Sequence, residues 1–105
     1  METVEIPKDV WSPIKSLVRH GIYKNEKSAL INIVHDLSLS KMAEFESAMK
    51  EFEKKYHTDF EDFQSKIKAA EKENFEKWDD YIEWKAYFTA YNYWKSIHEE
   101  SSQWL

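Results

Sequence analysis

Residues 3–10 read Thr3-Val4-Glu5-Ile6-Pro7-Lys8-Asp9-Val10, and the fold turns on how that stretch is understood. Thr3 to Ile6 alternate polar and apolar, the period of a strand with one buried face. Val4 and Ile6 would point inward, Thr3 and Glu5 outward. Pro7 has no backbone donor and ends the ladder. Beyond it Val10, Ile14, Leu17 and Val18 recur at helical spacing, with Asp9 or Ser12 as cap and Pro13 in or near the first turn. Gly21 stops this helix at the position where a left-handed backbone costs it little. Asn25 then caps a second helix, with Ala29, Leu30, Ile33, Val34 and Leu37 on its apolar stripe. Residues 1–43 therefore read as one short strand and two helices. A unit of roughly 40 residues rarely buries enough surface alone, and a four-residue strand needs a partner. The expectation is a homodimer with Val4, Ile6, Val10, Ile14, Leu17, Leu30, Ile33 and Val34 as its core.

The remaining composition narrows the class. Among 105 residues there is one glycine and no cysteine. That excludes disulfides, thiolate metal sites, a cysteine nucleophile and glycine-rich phosphate loops. It also excludes glycine hairpins and hence an all-β fold. No apolar run approaches bilayer length, and Glu2 and Glu5 argue against a signal peptide, so a cytoplasmic, mainly α protein without membrane contact is expected. Residues 1–43 have a net charge of +1 and residues 44–105 one of −6; ten of the seventeen aromatics follow Asn74. Two regions with two tasks are expected, 1–43 for dimerisation and 44–105 as an acidic, aromatic, helical partner-binding region.

The run Val4-Glu5-Ile6-Pro7-Lys8-Asp9-Val10, with Ile14, Leu17-Val18, Gly21-Ile22-Tyr23-Lys24-Asn25 and Ala29-Leu30 following in register, resembles the ribbon-helix-helix family. The resemblance implies an intertwined dimer whose paired strands enter the DNA major groove, while the start of the second helix holds a phosphate. On that pattern Thr3 and Glu5 would face bases of an operator, and Asn25 with the amides of Glu26 and Lys27 would hold the phosphate. The family's outward strand residues are typically basic or amide-bearing, and a basic residue often stands where this chain has Ile31. Arg19 is the only arginine.

In the second region Phe45, Met49, Phe52 and Tyr56 recur at spacings of four, three and four, a narrow seam on a charged helix. Thr58 and Glu61 have capping-box spacing, predicting a new helix with Phe60, Phe63, Ile67 and Ala70 on one face. A polar break follows, and Asn74 would cap a last helix from Phe75 to about His98. Its aromatics cover far more than one stripe. They can pack on the Phe45-to-Phe63 face or on a second protomer, a reading open for those nearest Phe75. For most of the rest a foreign protein surface is expected, because tryptophan and tyrosine are enriched at binding hot spots. The expected partner-binding residues are Trp78, Asp79, Asp80, Tyr81, Glu83, Trp84, Phe88, Tyr91 and Trp94.

A ribbon-helix-helix head with such a tail resembles an antitoxin of a type II toxin–antitoxin pair, and the stretch Phe75–Lys85 is similar to tails of some prokaryotic antitoxin-like proteins. The resemblance implies that the tail wraps and neutralises a small toxin, often a ribonuclease, while the head represses its own operon. A basic toxin site would complement the acidic tail. Two other readings stay open: a transcriptional regulator of the same fold without a toxin, and a helical interaction protein that has lost DNA binding. An enzyme is not expected. Asp79, Asp80 and Glu83 lie close together, but no nucleophile, metal-ligand histidine or glycine-rich loop accompanies them. The four histidines (His20, His35, His57, His98) share no i, i+4 spacing. Neither metal nor cofactor is expected.

Overall fold

The computed structural model describes residues 2–105, which form four helices: α1 Lys8–Arg19, α2 Glu26–Tyr56, α3 Phe60–Ala69 and α4 Phe75–Ser102. The described residues contain no strand. This overturns the ribbon-helix-helix fold class. Residues 2–7 have no regular structure, and Val4 is 79% exposed. Alternation over four residues specifies which faces a strand would have, but a strand exists only through a ladder. No second extended segment among the described residues offers one. Pro7 instead becomes the N-cap residue of α1, its carbonyl accepting from the amides of Val10 and Trp11 at 3.1 and 2.9 Å. Asp9 lies in the first turn and Pro13 inside the helix rather than at its start.

Local signals elsewhere act as their chemistry requires. Gly21 sits at φ 77°, the amide of Ile22 bonds the carbonyl of Leu17, and that of Gly21 bonds Val18, each at 3.0 Å. This is a Schellman closure, and it releases the chain from α1. The Asn25 side chain accepts from the amide of Ser28 at 2.8 Å, and that of Asn74 from Lys77 at 3.1 Å. At α3 the cap is Asp59, which accepts from Asp62 at 2.8 Å, in place of the expected Thr58–Glu61 box. The helix starts one residue later than that box requires, and a carboxylate is the stronger acceptor for its amides.

Two long helices set the shape. α2 has 31 residues and runs unbroken through positions 43 and 44, where the composition divides the chain; α4 has 28. At 1.5 Å per residue they are about 46 and 42 Å long. They pair antiparallel: Lys27 meets Trp104, His35 meets His98, Phe45 meets Tyr87, and Phe52 meets Trp84. α3 folds onto α4 beside the connection between them, and α1 packs on α2. The result measures 61 × 27 × 25 Å with a radius of gyration of 19.7 Å, against about 13 Å for a compact chain of this length.

The core lies at the end where α2, α3 and α4 meet, hereafter the three-helix end. Met49, Phe60, Phe63, Ile67, Tyr81 and Trp84 are buried there, with Phe52, Tyr56, Tyr87, Phe88 and Tyr91 packed around them. Trp84 is wholly buried, stacked on Phe52 at 5.5 Å and close to Phe63 at 5.1 Å and Phe60 at 5.7 Å. Many of the aromatics for which the sequence predicts a foreign surface are thus covered by one another.

Candidate interaction surface

The opposite end of the rod, hereafter the free end, consists of residues 2–25 with α1, the first half of α2, and the last turns of α4 with residues 103–105. Its apolar residues are arranged for packing and are left uncovered. α1 is amphipathic through Val10, Ile14, Leu17 and Val18, yet none of its residues is buried. On α2, Leu30, Val34 and Leu37 stand at i, i+4 and i+7, one face of a helix, and all three are exposed. Of the fourteen exposed large apolar side chains among the described residues, ten belong to this end, including Val4, Ile6, Ile22, Trp104 and Leu105. Monomeric soluble proteins rarely leave so contiguous an apolar surface without a use for it.

Two adjoining grooves score this surface. One, of about 250 Å³, is lined by Lys27, Leu30, Ile31, Val34 and Trp104. The other, of about 290 Å³, adds Ile97, Glu100 and Ser101. Trp104 forms their shared wall, and Lys27 Nζ lies 5.7 Å from its ring centroid, within cation–π range. The charge here is nearly balanced: the +1 of residues 1–43 is cancelled when Lys95, Glu99 and Glu100 of α4 are included.

All eight expected dimer-core residues fall on this end. Val4, Ile6, Val10, Leu30 and Val34 are exposed, and Ile14, Leu17 and Ile33 are half-buried. The expected DNA contacts are not brought together as a reading head. Thr3 and Glu5 lie in the irregular segment, the Asn25 side chain is used by Ser28, Glu26 is half-buried, and Lys27 lies over Trp104.

The expected partner-binding residues divide sharply. Tyr81 and Trp84 are buried in the core, and Phe88 and Tyr91 pack against it. Trp94 is half-buried, edge-on to Tyr93 at 5.2 Å. The hairpin brings the seam of α2 onto Tyr81, Trp84, Phe88 and Tyr91, so these four side chains are taken up by the chain's own core. Trp78, Asp79 and Glu83 remain exposed, and Trp78 forms an apolar stripe with Phe75 and Ile82, which are exposed too.

Asp80 belongs to a clamp across the hairpin. It accepts hydrogen bonds from the Tyr56 hydroxyl and from Lys55 Nζ at 2.7 Å, while Lys55 also reaches Glu76 at 2.8 Å. Burial works to raise the Asp80 carboxyl, but the bonds from Lys55 and Tyr56 outweigh it and hold the group below its ordinary value. Burial and the bond to Asp80 push the Tyr56 hydroxyl up to about 12. The bonds to Asp80 and Glu76 raise Lys55. At the helix surface the Tyr87 hydroxyl donates to Glu83 at 3.0 Å, which raises the tyrosine. The arrangement ties the end of α2 to the start of α4.

A polar cluster that the histidine spacing alone did not reveal lies inside the free end of the hairpin. His35 and His98 stack with centroids 4.3 Å apart, flanked by the buried Ser38 and Ser101. The signal was present in the sequence as His-x-x-Ser in both long helices.

Residues 13–98 match the family described as the Uncharacterized protein MJ0235 family. The chain belongs to that family. The matched segment begins within α1 and ends at His98, so it contains the hairpin seam and both stacked histidines but not residues 3–6. No curated protein and no solved structure matches the chain.

Proposed function

We propose that this is a non-catalytic helical interaction protein that pairs with a second copy of itself through the free end, by helix faces rather than by a ribbon. The observation that carries the reading is α1, an amphipathic helix with no buried residue, beside the exposed Leu30, Val34 and Leu37 stripe. Charge selects the occupant. A nearly neutral apolar end can meet its own copy without like-charge repulsion, whereas the rest of the chain, with a net charge of −5, repels its copy. Each large apolar side chain fully covered contributes roughly 1.5–3 kcal/mol before ordering costs.

The antitoxin-like role is a narrower form of this reading, supported by one observation. Phe75, Trp78 and Ile82 form an exposed stripe flanked by Glu76, Asp79 and Glu83. A basic protein partner would find there an apolar anchor with an acidic rim. DNA binding is not part of the proposal.

Sedimentation of the full chain and of Val34→Asp tests self-association. The expected outcome is a dimer for the unaltered chain and a folded monomer for the variant, since a charge at Val34 lies outside the core. A monomeric unaltered chain, at the highest concentration it tolerates, overturns the reading. Co-purification with a basic partner, lost on Trp78→Asp but not on Val34→Asp, tests the narrower form.

A further inference from the structure

The His-x-x-Ser pattern occurs as His35-Asp36-Leu37-Ser38 on α2 and as His98-Glu99-Glu100-Ser101 on α4. The antiparallel hairpin sets the two copies face to face in a near two-fold arrangement. Ser38 Oγ donates to the carbonyl of His35 at 2.6 Å, and Ser101 Oγ donates to that of His98 at 3.0 Å. Each hydroxyl then faces the other helix's imidazole: Ser101 Oγ lies 3.1 Å from His35 Nδ1, and Ser38 Oγ 3.5 Å from His98 Nδ1. Ser102 Oγ also donates to the His98 carbonyl, at 2.7 Å, and lies 3.5 Å from His35 Nδ1. Each serine oxygen can accept from the ring across from it whenever that ring carries a proton on Nδ1. Ser38 is 0% and Ser101 2% exposed, so water does not supply alternative partners at these positions.

We propose that this reciprocal pair is a pH-sensitive latch, holding the free end of the hairpin closed until both imidazoles are protonated. One added proton is accommodated, because a cationic ring donates its Nδ1–H to serine and stacks on a neutral ring. A second places two like charges face to face at 4.3 Å between half-buried helices. The charged groups around the rings do not relieve this. Asp36 on α2, Lys95, Glu99 and Glu100 on α4, and Lys15 and Arg19 of α1 are all exposed. No carboxylate makes an ion pair with either imidazole among the described residues.

Opening would separate α2 from α4 where Ser101, Ile97, Ile31 and Val34 line the groove, and so dismantle the surface that seats the second copy. The latch needs only one chain; its effect on docking rests on the function proposed above.

The test follows the imidazole resonances and the amide hydrogen-exchange protection of the full chain by NMR from neutral to mildly acidic pH, with sedimentation in parallel. Protection across residues 31–38 and 97–102 should fall at least tenfold on acidification, while residues 49–67 keep theirs. His98→Phe retains a flat ring without the charge and should abolish the acid-induced loss; His35→Phe is the second variant should the first not fold. Unchanged protection on acidification, or a loss of protection equal in the variants, overturns the latch. If protection falls as expected in a protein that is monomeric throughout, the latch stands and the docking reading fails. If a dimer persists throughout with unchanged protection, the reverse holds.

Discussion

The two ends of the rod use the same pair of helices in opposite ways. At the three-helix end, α2 and α4 meet through large rings, and α3 closes the third side, so Trp84 and Phe63 lose almost all contact with water. At the free end the same helices meet through the histidine–serine cluster, and the aliphatic residues face outward. Rings repay burial inside one chain because each covers a large area of its neighbour. A stripe of Leu and Val on one edge of a two-helix layer cannot be covered by that layer, so its burial depends on something else. One end is packed within the chain, and the other leaves its aliphatic face uncovered.

The sharpest way to break this division is at Trp84. Truncation to alanine removes the ring that touches Phe52, Phe60 and Phe63, and should cost about 3–5 kcal/mol of stability. The read-out is chemical denaturation of the full chain. Trp84→Phe should cost clearly less than alanine, and less than its lost volume suggests, because the buried Nε1–H has no hydrogen-bond partner among the described residues. Equal losses for the two variants would mean that the ring at 84 is not packed. Val34→Asp, by contrast, should leave the denaturation midpoint of the dissociated chain nearly unchanged and alter only association.

A smaller effect is expected at the clamp. Asp80→Asn keeps the shape but weakens the bonds from Tyr56 and Lys55, and should cost about 1–2 kcal/mol, the range for losing charged hydrogen-bond partners. The sign of the pH dependence follows from the direction of each shift. Asp80 is depressed in the folded state, so its contribution is complete above the ordinary carboxylate range and is lost as pH falls through its lowered value. Tyr56 is raised to about 12 from 10, so its contribution is complete below 10 and is lost as pH rises toward 12. Asp80→Asn should flatten the acid limb and reduce the alkaline loss, measured as unfolding free energy against pH. Unaltered limbs would show that the tie is absent in solution.

How much of this was legible in the sequence differs between the ends for a physical reason. Asn25, Asn74 and Gly21 act on their own neighbours within a few residues, and each does what its chemistry predicts. The seam Phe45, Met49, Phe52 and Tyr56 was also readable, because helical periodicity marks a buried face. What that face buries was not readable, since Trp84 meets Phe52 from 32 positions away. Exposed hot spots were therefore expected where the core lies. The strand failed for the converse reason: alternation at Thr3 to Ile6 is a local signal for an element that only a distant partner can complete. Spacing within one helix does not relate His35 to His98, because their partnership spans two helices.

The smallest effect sharpens the comparison most cleanly. His57 ends α2 in the left-handed region, at φ 53° and ψ 39°, and is the one non-glycine residue with positive φ among those described. A side chain there crowds the following carbonyl, costing roughly 1–2 kcal/mol, and glycine removes that cost while losing some of it again to greater freedom in the unfolded chain. His57→Gly should therefore raise stability by about 0.5–1 kcal/mol. The residue is exposed and outside the core, so no packing is lost with its ring. Because the gain is local to the α2–α3 corner, hydrogen exchange should slow across α3 and the facing half of α4, and protection around His35 and Ser101 should not change. If the free end gained equally, the rod would unfold as one unit, and the separation of a packed end from an uncovered end would not survive as a difference in stability.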